Sequence, residues 1–437
     1  MGMKGEHTMG NYMDALGYLY TPEAANWLTN LYGKREGVLV SQTDRYRRLG
    51  KRHMELFGEK NLYFCSAPGR TEIAGNHTDH NGGRVLAAAV NLDTVAAVSP
   101  NETNVVTLYS EGYARPFVVD LSDLSVHEDE KETTNSLIRG VAARMKELGY
   151  KIGGFDACVT STVFKGSGLS SSAAFEVLLV AILDGLYNNM TIEPKLRAKI
   201  SQYAENVYFG KPSGLMDQMA SSVGGLVTID FRRPDAEVEA LQYDFAAQGY
   251  ALCVVHTEGD HGNLTNEYAA IPQEMKQVAA FFGGKVLRDV LPEQVEEGVA
   301  QLKGKVSDRA ILRALHFYDE NRRVANLVEA LKKDDLFGFF EQIIASGDSS
   351  WKLLQNIYVA GSPDQGLALA LEMSHRMLAG KGAWRIHGGG FAGTILTFVP
   401  QDMLSAYKRR MDSIFGDHAC AVLDIRPCGA VFMPVKA

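Results

Sequence analysis

The chain has 437 residues, of which 46% are hydrophobic, so it is long enough for two or three globular domains. Its formal net charge of −8 argues against nucleic acid or an anionic membrane as the main partner. No run of about 18 apolar residues occurs, and residues 1–11 lack an apolar signal core, so we expect a cytoplasmic protein without membrane contact. The five cysteines lie far apart without CxxC spacing, which predicts reduced thiols.

Residues 1–60 are predicted to form a helical N-terminal extension. Apolar residues recur at helical spacing in segments 12–19 and 22–32, and segment 41–57 has the pattern of a basic amphipathic helix. The simplest interpretation is a surface arm that packs on the body of the protein, with a regulatory or oligomerisation role as the alternative. The basic face is interpreted as solvated rather than RNA-binding, because solvated helix faces are the commoner case.

From residue 62 onward, periodicity predicts a mixture of strands and helices. Strands are expected at residues 62–65, 85–98, 105–109, 155–163, 226–231, 250–257 and 419–424. Helices are expected at residues 132–148, 175–187 and 194–208, and again through much of the region up to about 376. This mixed order predicts an α+β protein with two lobes, in which domains 61–225 and 226–437 follow the extension.

A glycine- and serine-rich turn before the predicted helix 175–187 has the composition of a phosphate cradle. Glycines let backbone N–H groups converge on an anion, and the helix directs its positive end toward it. No Gly-Lys-Ser/Thr sequence follows, so the turn is not a Walker A loop. The predicted ATP-binding residues are Gly166, Ser167, Gly168, Leu169, Ser170, Ser171, Ser172 and Ala173.

Three further segments carry charged or glycine-rich patterns. Residues 67–83 place Arg70, two acids and two histidines between glycines, and residues 212–218 read Pro-Ser-Gly-Leu-Met-Asp-Gln. Residues 386–396 run from a glycine turn, with Gly388, Gly389, Gly390 and Gly393, into an apolar strand. Residues 67–83, the serine turn and residues 386–396, in this order along the chain, resemble the three signature motifs of the GHMP small-molecule kinases. Residues 67–83 and the Met-Asp-Gln segment at residues 212–218 resemble the corresponding segments of galactokinases in particular.

The resemblance implies a two-lobed GHMP kinase fold with the active site between the lobes, and an ATP-dependent sugar 1-kinase acting on galactose. It makes Asp217 the general base for the anomeric hydroxyl and Arg70 the cation that stabilises developing charge. Mg²⁺ would be held by Ser172, or by its neighbour Ser171, and by Glu205. Sugar and ATP are the expected partners of a monomer or weak homo-oligomer.

The sugar pocket implied by the resemblance has both matches and departures. Its residues would be Asn76, His77, Asp79, Gly214, Asp217 and Tyr268. Asn76 stands where the family has glutamate and Glu72 where it has asparagine, while His80 replaces a tyrosine. Because asparagine would no longer repel a C6 carboxylate, galacturonate is an alternative substrate. A non-catalytic sugar and ATP sensor is less favoured because the serine motif is complete, and a mevalonate- or homoserine-type kinase would not explain His77 to Asp79.

Overall fold

The computed structural model describes residues 12–163, 168–257 and 264–433. Within them the α-helices are α1 Tyr12–Tyr18, α2 Pro22–Tyr32, α3 Val38–Phe57, α4 Thr134–Glu147, α5 Ser171–Tyr187, α6 Pro194–Tyr203, α7 Met216–Val223, α8 Thr265–Phe281, α9 Pro292–Glu297, α10 Val299–Leu302, α11 Asp308–Lys332, α12 Leu336–Ser349, α13 Gly366–Leu378 and α14 Leu404–Phe415. The strands are β1 Tyr63–Ala74, β2 Arg84–Pro100, β3 Val105–Ser110, β4 Phe117–Asp120, β5 Phe155–Ser161, β6 Leu226–Asp230, β7 Glu237–Leu241, β8 Tyr250–His256, β9 Ala383–His387, β10 Thr394–Pro400, β11 Cys420–Leu423 and β12 Val431–Phe432.

The larger sheet has the strand order β12-β1-β2-β5-β3-β4, and β6 and β7 extend it from the far end of β2. Only β3 and β5 pair in parallel among its described strands. Alternate residues of β1 point to opposite faces, as a pleated strand requires. Phe64 packs with α2 and α3, and Cys65 packs with α4 and α5. The long strands are therefore buried on both faces, and every residue of β1 after Tyr63 is buried.

The smaller sheet has the order β11-β8-β10-β9 and is antiparallel throughout its described strands. Val254 and Leu396 face an apolar cluster shared with α11 and α12, whereas Val255 and Ile395 face a cluster shared with α13 and α14. This two-sided burial explains why β8 and β10 are almost continuously apolar.

The helical extension is anchored through one buried aspartate in β2. Asp93 accepts hydrogen bonds from the Tyr32 hydroxyl at 2.5 Å, from Arg45 at 2.6 Å and from Arg426 at 3.2 Å. A buried carboxylate needs this degree of pairing, since an unpaired charge in the interior is strongly destabilising. Asp93 thus ties α2, α3 and the C-terminal segment to the larger sheet.

Most predicted elements are confirmed, with shifted ends. Helix α5 begins at Ser171 instead of 175, α3 begins at Val38 instead of 41, and the predicted helix 194–208 is α6 followed by a π-helical turn, Ala204–Phe209. Strands β6, β7 and β12 lie in the predicted second domain, residues 226–437, but they pair in the larger sheet, which contains β1 and β2 of the predicted first domain. The domain boundary at residue 225 stays a prediction. No helix in the described parts of the chain is long and apolar enough to cross a membrane.

Candidate active site

Arg70 and Asp217 form a bidentate ion pair at the centre of the site. Arg70 lies in β1, and its Nε and Nη2 donate to the two carboxylate oxygens of Asp217 at 2.7 and 3.0 Å. Asp217 lies in the first turn of α7 and also accepts a hydrogen bond from the Ser170 hydroxyl. Burial alone would raise the pKa of Asp217, but the Arg70 charge and the bonds from Arg70 and Ser170 outweigh it, so the pKa is lowered. The carboxylate is therefore ionised at neutral pH.

The serine turn meets this pair at the start of α5. Ser170 has a φ of 57°, and Gly168 has a φ of 71°, a conformation that glycine adopts at little cost. The Gly168 carbonyl accepts a hydrogen bond from Arg70, and the Leu169 carbonyl accepts one from the Arg70 backbone N–H at 3.0 Å. The turn is thus fixed against β1, and the N-terminus of α5 opens beside the ion pair. Two predicted members, Gly166 and Ser167, lie outside the described residues.

Ser172 and Glu205, the predicted metal ligands, are brought together by α5 and the π-helical turn. The Ser172 hydroxyl lies 3.4 Å from the Glu205 carboxylate, which also contacts the Lys211 ammonium at 3.0 Å and the Ser213 hydroxyl at 2.5 Å. A hydroxyl and a carboxylate are oxygen donors of the kind Mg²⁺ prefers, and Mg²⁺ normally keeps several waters. Among the described residues, no group of three or more His, Cys, Asp or Glu side chains is arranged to hold a metal ion. The Ser172 hydroxyl and the Glu205 carboxylate are donors that fit Mg²⁺.

Gln218, a buried residue that the sequence analysis did not assign to the site, holds Glu205 in place. Gln218 donates from its Nε2 to Glu205 at 2.8 Å and to Glu176 at 3.0 Å. Burial and the nearby Glu205 charge raise the pKa of Glu176 well above its usual value. The available signal was that Gln218 directly follows Asp217 in the segment 212–218, which the sequence analysis had singled out.

Asp79, His77 and Gly214 come together at the predicted sugar pocket. Gly214 packs so closely on Asp79 that an added Cβ would lie 2.6 Å from the Asp79 Oδ2. His77 adopts a φ of 58°, and its Nε2 donates to the Gly389 carbonyl at 2.9 Å. Burial lowers the pKa of His77 to about 4, so the ring is neutral at pH 7. Asp79 and Asp217 therefore supply the charged acceptors of this pocket.

The glycine motif acts as a row of carbonyl acceptors for groups from the other motifs. Its three consecutive glycines accept hydrogen bonds from Asn76 at 2.7 Å, from His77 at 2.9 Å and from the Tyr268 hydroxyl at 2.9 Å. The Tyr268 ring contacts Gly389, where a Cβ would lie 2.6 Å from the ring carbon. Bare backbone is thus needed for the close approach at Gly389, while the structural role of Gly388, Gly389, Gly390 and Gly393 stays a prediction.

Asn76 has a different environment from the one expected of a residue that faces the sugar. Its side chain is buried, and both amide donors are used, one by Glu72 at 3.0 Å and one by the Gly388 carbonyl. Its oxygen accepts from Asn356 at 2.8 Å. Asn76 therefore offers no unused amide donor to a ligand, and its substrate-binding role stays a prediction.

A cavity of about 680 Å³ opens next to Ser171 and Ser172. Phe117, Leu137, Val159 and Phe175 give it apolar walls. A cavity that has apolar walls and adjoins the serine turn suits a ligand in which a planar heterocycle is joined to phosphate groups. The sequence analysis did not predict this cavity, because its lining comes from β3, β4, α4, β5 and α5, which no local pattern connects.

Two family models match the chain in these regions. The galactokinase galactose-binding signature matches residues 51–100, which include Arg70 and Asp79. The GHMP kinase N-terminal domain matches residues 136–225, which include the serine turn, Glu205 and Asp217. The two models thus cover the elements that meet at the ion pair.

Curated relatives extend this likeness to most of the chain. A galactokinase of Glaesserella parasuis is 32% identical over 81% of this chain and 89% of its own length. One of Streptomyces coelicolor is 31% identical over 84% of this chain and 92% of its own. Among solved structures, Lactococcus lactis galactokinase with galactose gives a TM-score of 0.74 at 24% identity, covering 87% of this chain and 98% of that one. Methanococcus jannaschii mevalonate kinase gives 0.60 at 15% identity, covering 83% and 98%. The α+β GHMP kinase fold is thereby confirmed, and the chain belongs to the galactokinase family.

Proposed function

We propose that this chain transfers the γ-phosphoryl group of ATP to the anomeric hydroxyl of galactose. The observation that carries the proposal is the Asp217 carboxylate, held by Arg70 and Ser170 between the Asp79 pocket and the cavity that ends at Ser171. A carboxylate in that place lies between an acceptor sugar and a donor phosphate. The curated relatives that match most of this chain are named galactokinases, which favours galactose as the acceptor.

The chemistry follows from positioning and charge. The anomeric oxygen attacks the γ-phosphorus, the bond from this phosphorus to the β,γ-bridging oxygen breaks, and ADP leaves with that electron pair. Asp217 accepts the hydroxyl proton as the new bond forms. Arg70 remains charged throughout and stabilises the negative charge on the equatorial phosphoryl oxygens.

The lowered pKa of Asp217 has a specific consequence for this step. A weakly basic carboxylate orients the hydroxyl by accepting its hydrogen bond and takes the proton late, when the hydroxyl has become acidic. Such timing suits phosphoryl transfer through a loose transition state, in which bond formation to the nucleophile is limited.

We propose that Mg²⁺ accompanies ATP and that Ser172 and Glu205 are its protein ligands. When bound, the ion would neutralise charge on the transferring phosphates. Lys211, which now contacts Glu205 at 3.0 Å, keeps a second positive charge close to that carboxylate. Glu205 is held in place by Gln218 and Ser213, so this donor is ordered in advance.

The galacturonate alternative is not favoured. It requires position 76 to face C6 of the sugar, whereas the amide donors of Asn76 are used by Glu72 and Gly388. The sensor alternative is also not favoured, because the hydrogen bonds that join Ser170, Arg70 and Asp217 are all present.

The test is an ADP-release assay with Mg·ATP and a panel of galactose, galacturonate, glucose, N-acetylgalactosamine and mevalonate. We expect the highest kcat/KM for galactose, with a 1-phosphate as product. Preference for galacturonate would refute the acceptor assignment, and nucleotide binding without turnover on any compound would refute the kinase assignment.

A further inference from the structure

The N-terminal extension forms one wall of a second cavity that the proposed reaction does not use. The cavity has a volume of about 480 Å³ and lies between α3, the end of β3 and β5. Helix α3 lines it with Arg45, Arg48, Leu49 and Arg52, a spacing that places all four on one helical face. Its size is within the range of small-molecule sites.

Two of the arginines in the cavity wall have no buried ionic partner. Arg45 is neutralised by Asp93 at 2.6 Å, but Arg48 is exposed and makes no ion pair or hydrogen bond within the described part of the chain. Arg52 contacts Glu55 at 3.1 Å in a pair whose side chains are both 59% exposed. Because exposed pairs are weak, Arg52 can exchange this partner for a ligand at little cost.

The remaining wall adds apolar surface and a single acid to the arginines. Tyr109, Tyr113 and Leu49 add apolar surface beside the arginines. The one acid in the lining, Glu111, accepts a hydrogen bond from the Thr160 hydroxyl. Two guanidinium groups one helical turn apart match the several acceptor oxygens of a phosphate, and the volume exceeds what a bare phosphate ion would fill.

The same turn lines this cavity and the cavity next to Ser171. Residues 110–113 and Val159 contribute to both, so the two cavities share this turn as part of their walls. A ligand that fixed the turn in one cavity would change the free energy of binding in the other, and such coupling is reciprocal.

We propose that the cavity between α3 and residues 109–113 binds a phosphorylated small molecule, with Arg48 and Arg52 holding the phosphate. We further infer that its occupancy changes the affinity for nucleotide in the neighbouring cavity. Only this coupling rests on the proposed function, because it requires the cavity next to Ser171 to be the nucleotide site.

The binding test uses calorimetric titration of the full chain with phenyl phosphate, a phosphate monoester that carries no sugar. The test variant is Arg48→Ala/Arg52→Ala. The matched control is Arg47→Ala/Lys51→Ala, which removes two positive charges from the same helix but outside the cavity lining. We expect wild type and control to bind with similar Kd and the test variant to bind at least about tenfold more weakly.

Absence of binding to wild type, or an equal Kd in the two double variants, would overturn the site. Arg48→Gln, which retains most of the side-chain length, replaces the double variant if the latter unfolds at a lower urea concentration than the control.

Coupling is tested by the Kd of ADP with and without phenyl phosphate. We expect a changed Kd in wild type and none in the test variant, and an unchanged Kd in wild type would overturn the coupling. No step depends on turnover, so the result is independent of whether galactose is the substrate.

Discussion

At the scale of single residues, the site depends on side chains whose charge or volume is matched to one neighbour. The Arg70 guanidinium faces both oxygens of Asp217, and the bare Cα of Gly214 faces the carboxylate of Asp79. Bidentate geometry and close packing tolerate little change, because each fixes both distance and direction. Conservative substitutions at these positions are therefore informative.

Replacing Asp217 by asparagine should abolish proton acceptance while keeping the shape of the side chain. We expect kcat to fall by about 10²-fold or more, which is the usual size of a general-base contribution. The Kd of ADP, measured by titration, should stay within about twofold since Asp217 does not line the cavity proposed for the nucleotide. Asp235→Asn, at a surface position paired with Lys195 and Lys199, is the control. Wild-type turnover in Asp217→Asn would remove this residue from the mechanism.

Replacing Gly214 by alanine should displace Asp79. The new Cβ would lie 2.6 Å from the Asp79 Oδ2, so one of the two must move. A small misplacement of a positioning carboxylate is costly, and we expect kcat/KM for the sugar to fall by about tenfold or more with little change in KM for ATP. Gly17→Ala, where nothing lies within 4 Å of the added atom, is the control. An equal effect on sugar and ATP would show that Asp79 does not act in sugar binding.

At the scale of elements, the long-range pairings decide which segments form the site. Strand β1 carries Arg70, α7 carries Asp217, and the turn before α5 lies between them. The extension is attached in the same manner, because α2, α3 and the C-terminal segment all pair with Asp93. Each assembly thus depends on one carboxylate that collects donors from distant elements.

Replacing Asp93 by asparagine should destabilise the attachment of α2 and α3. The change leaves the buried Arg45 and Arg426 guanidinium groups without a counter-charge, and breaking such a buried pair costs about 3–5 kcal/mol. Urea unfolding, followed by fluorescence and circular dichroism, measures the difference. Asp44→Asn, which removes an exposed partner of Arg47, should change the unfolding free energy by less than about 1 kcal/mol. Equal effects of the two substitutions would contradict the central role of Asp93.

At the scale of the whole molecule, several buried histidines make stability depend on pH. Burial lowers the pKa of His53 to about 4, partly offset by the Asp156 carbonyl, and also lowers the pKa values of His77, His316 and His387. In the unfolded chain these groups titrate near 6.5. Between these pH values the unfolded state binds more protons than the folded state, so stability is full above about pH 6.5 and falls as the pH drops toward 4.

His53 should account for a measurable part of this slope. A shift from 6.5 to about 4 corresponds to at most about 3 kcal/mol of stability lost on acidification. In His53→Gln the unfolding free energy should therefore change less between pH 7 and pH 4.5 than in wild type. His375→Gln, at an exposed position beside Glu372, should keep the wild-type slope. A wild-type slope in His53→Gln would show that this ring does not carry the effect.

The sequence by itself determined the features that local chemistry encodes. The mixed order of strand and helix patterns predicted the α+β class, and the motifs carried the resemblance to galactokinases, because a glycine turn or a serine-rich helix start needs particular residue types whatever surrounds it. Only the tertiary structure decided which groups meet: Arg70 contacts Asp217 across 147 positions, Asn76 turns into a buried network, and Gln218 holds Glu205. The cavity walls could not be predicted from the sequence either, since they combine strands and helices that come into contact only when the chain folds. Contacts between distant segments depend on the packing of the whole chain, whereas turn and strand preferences depend on neighbouring residues alone.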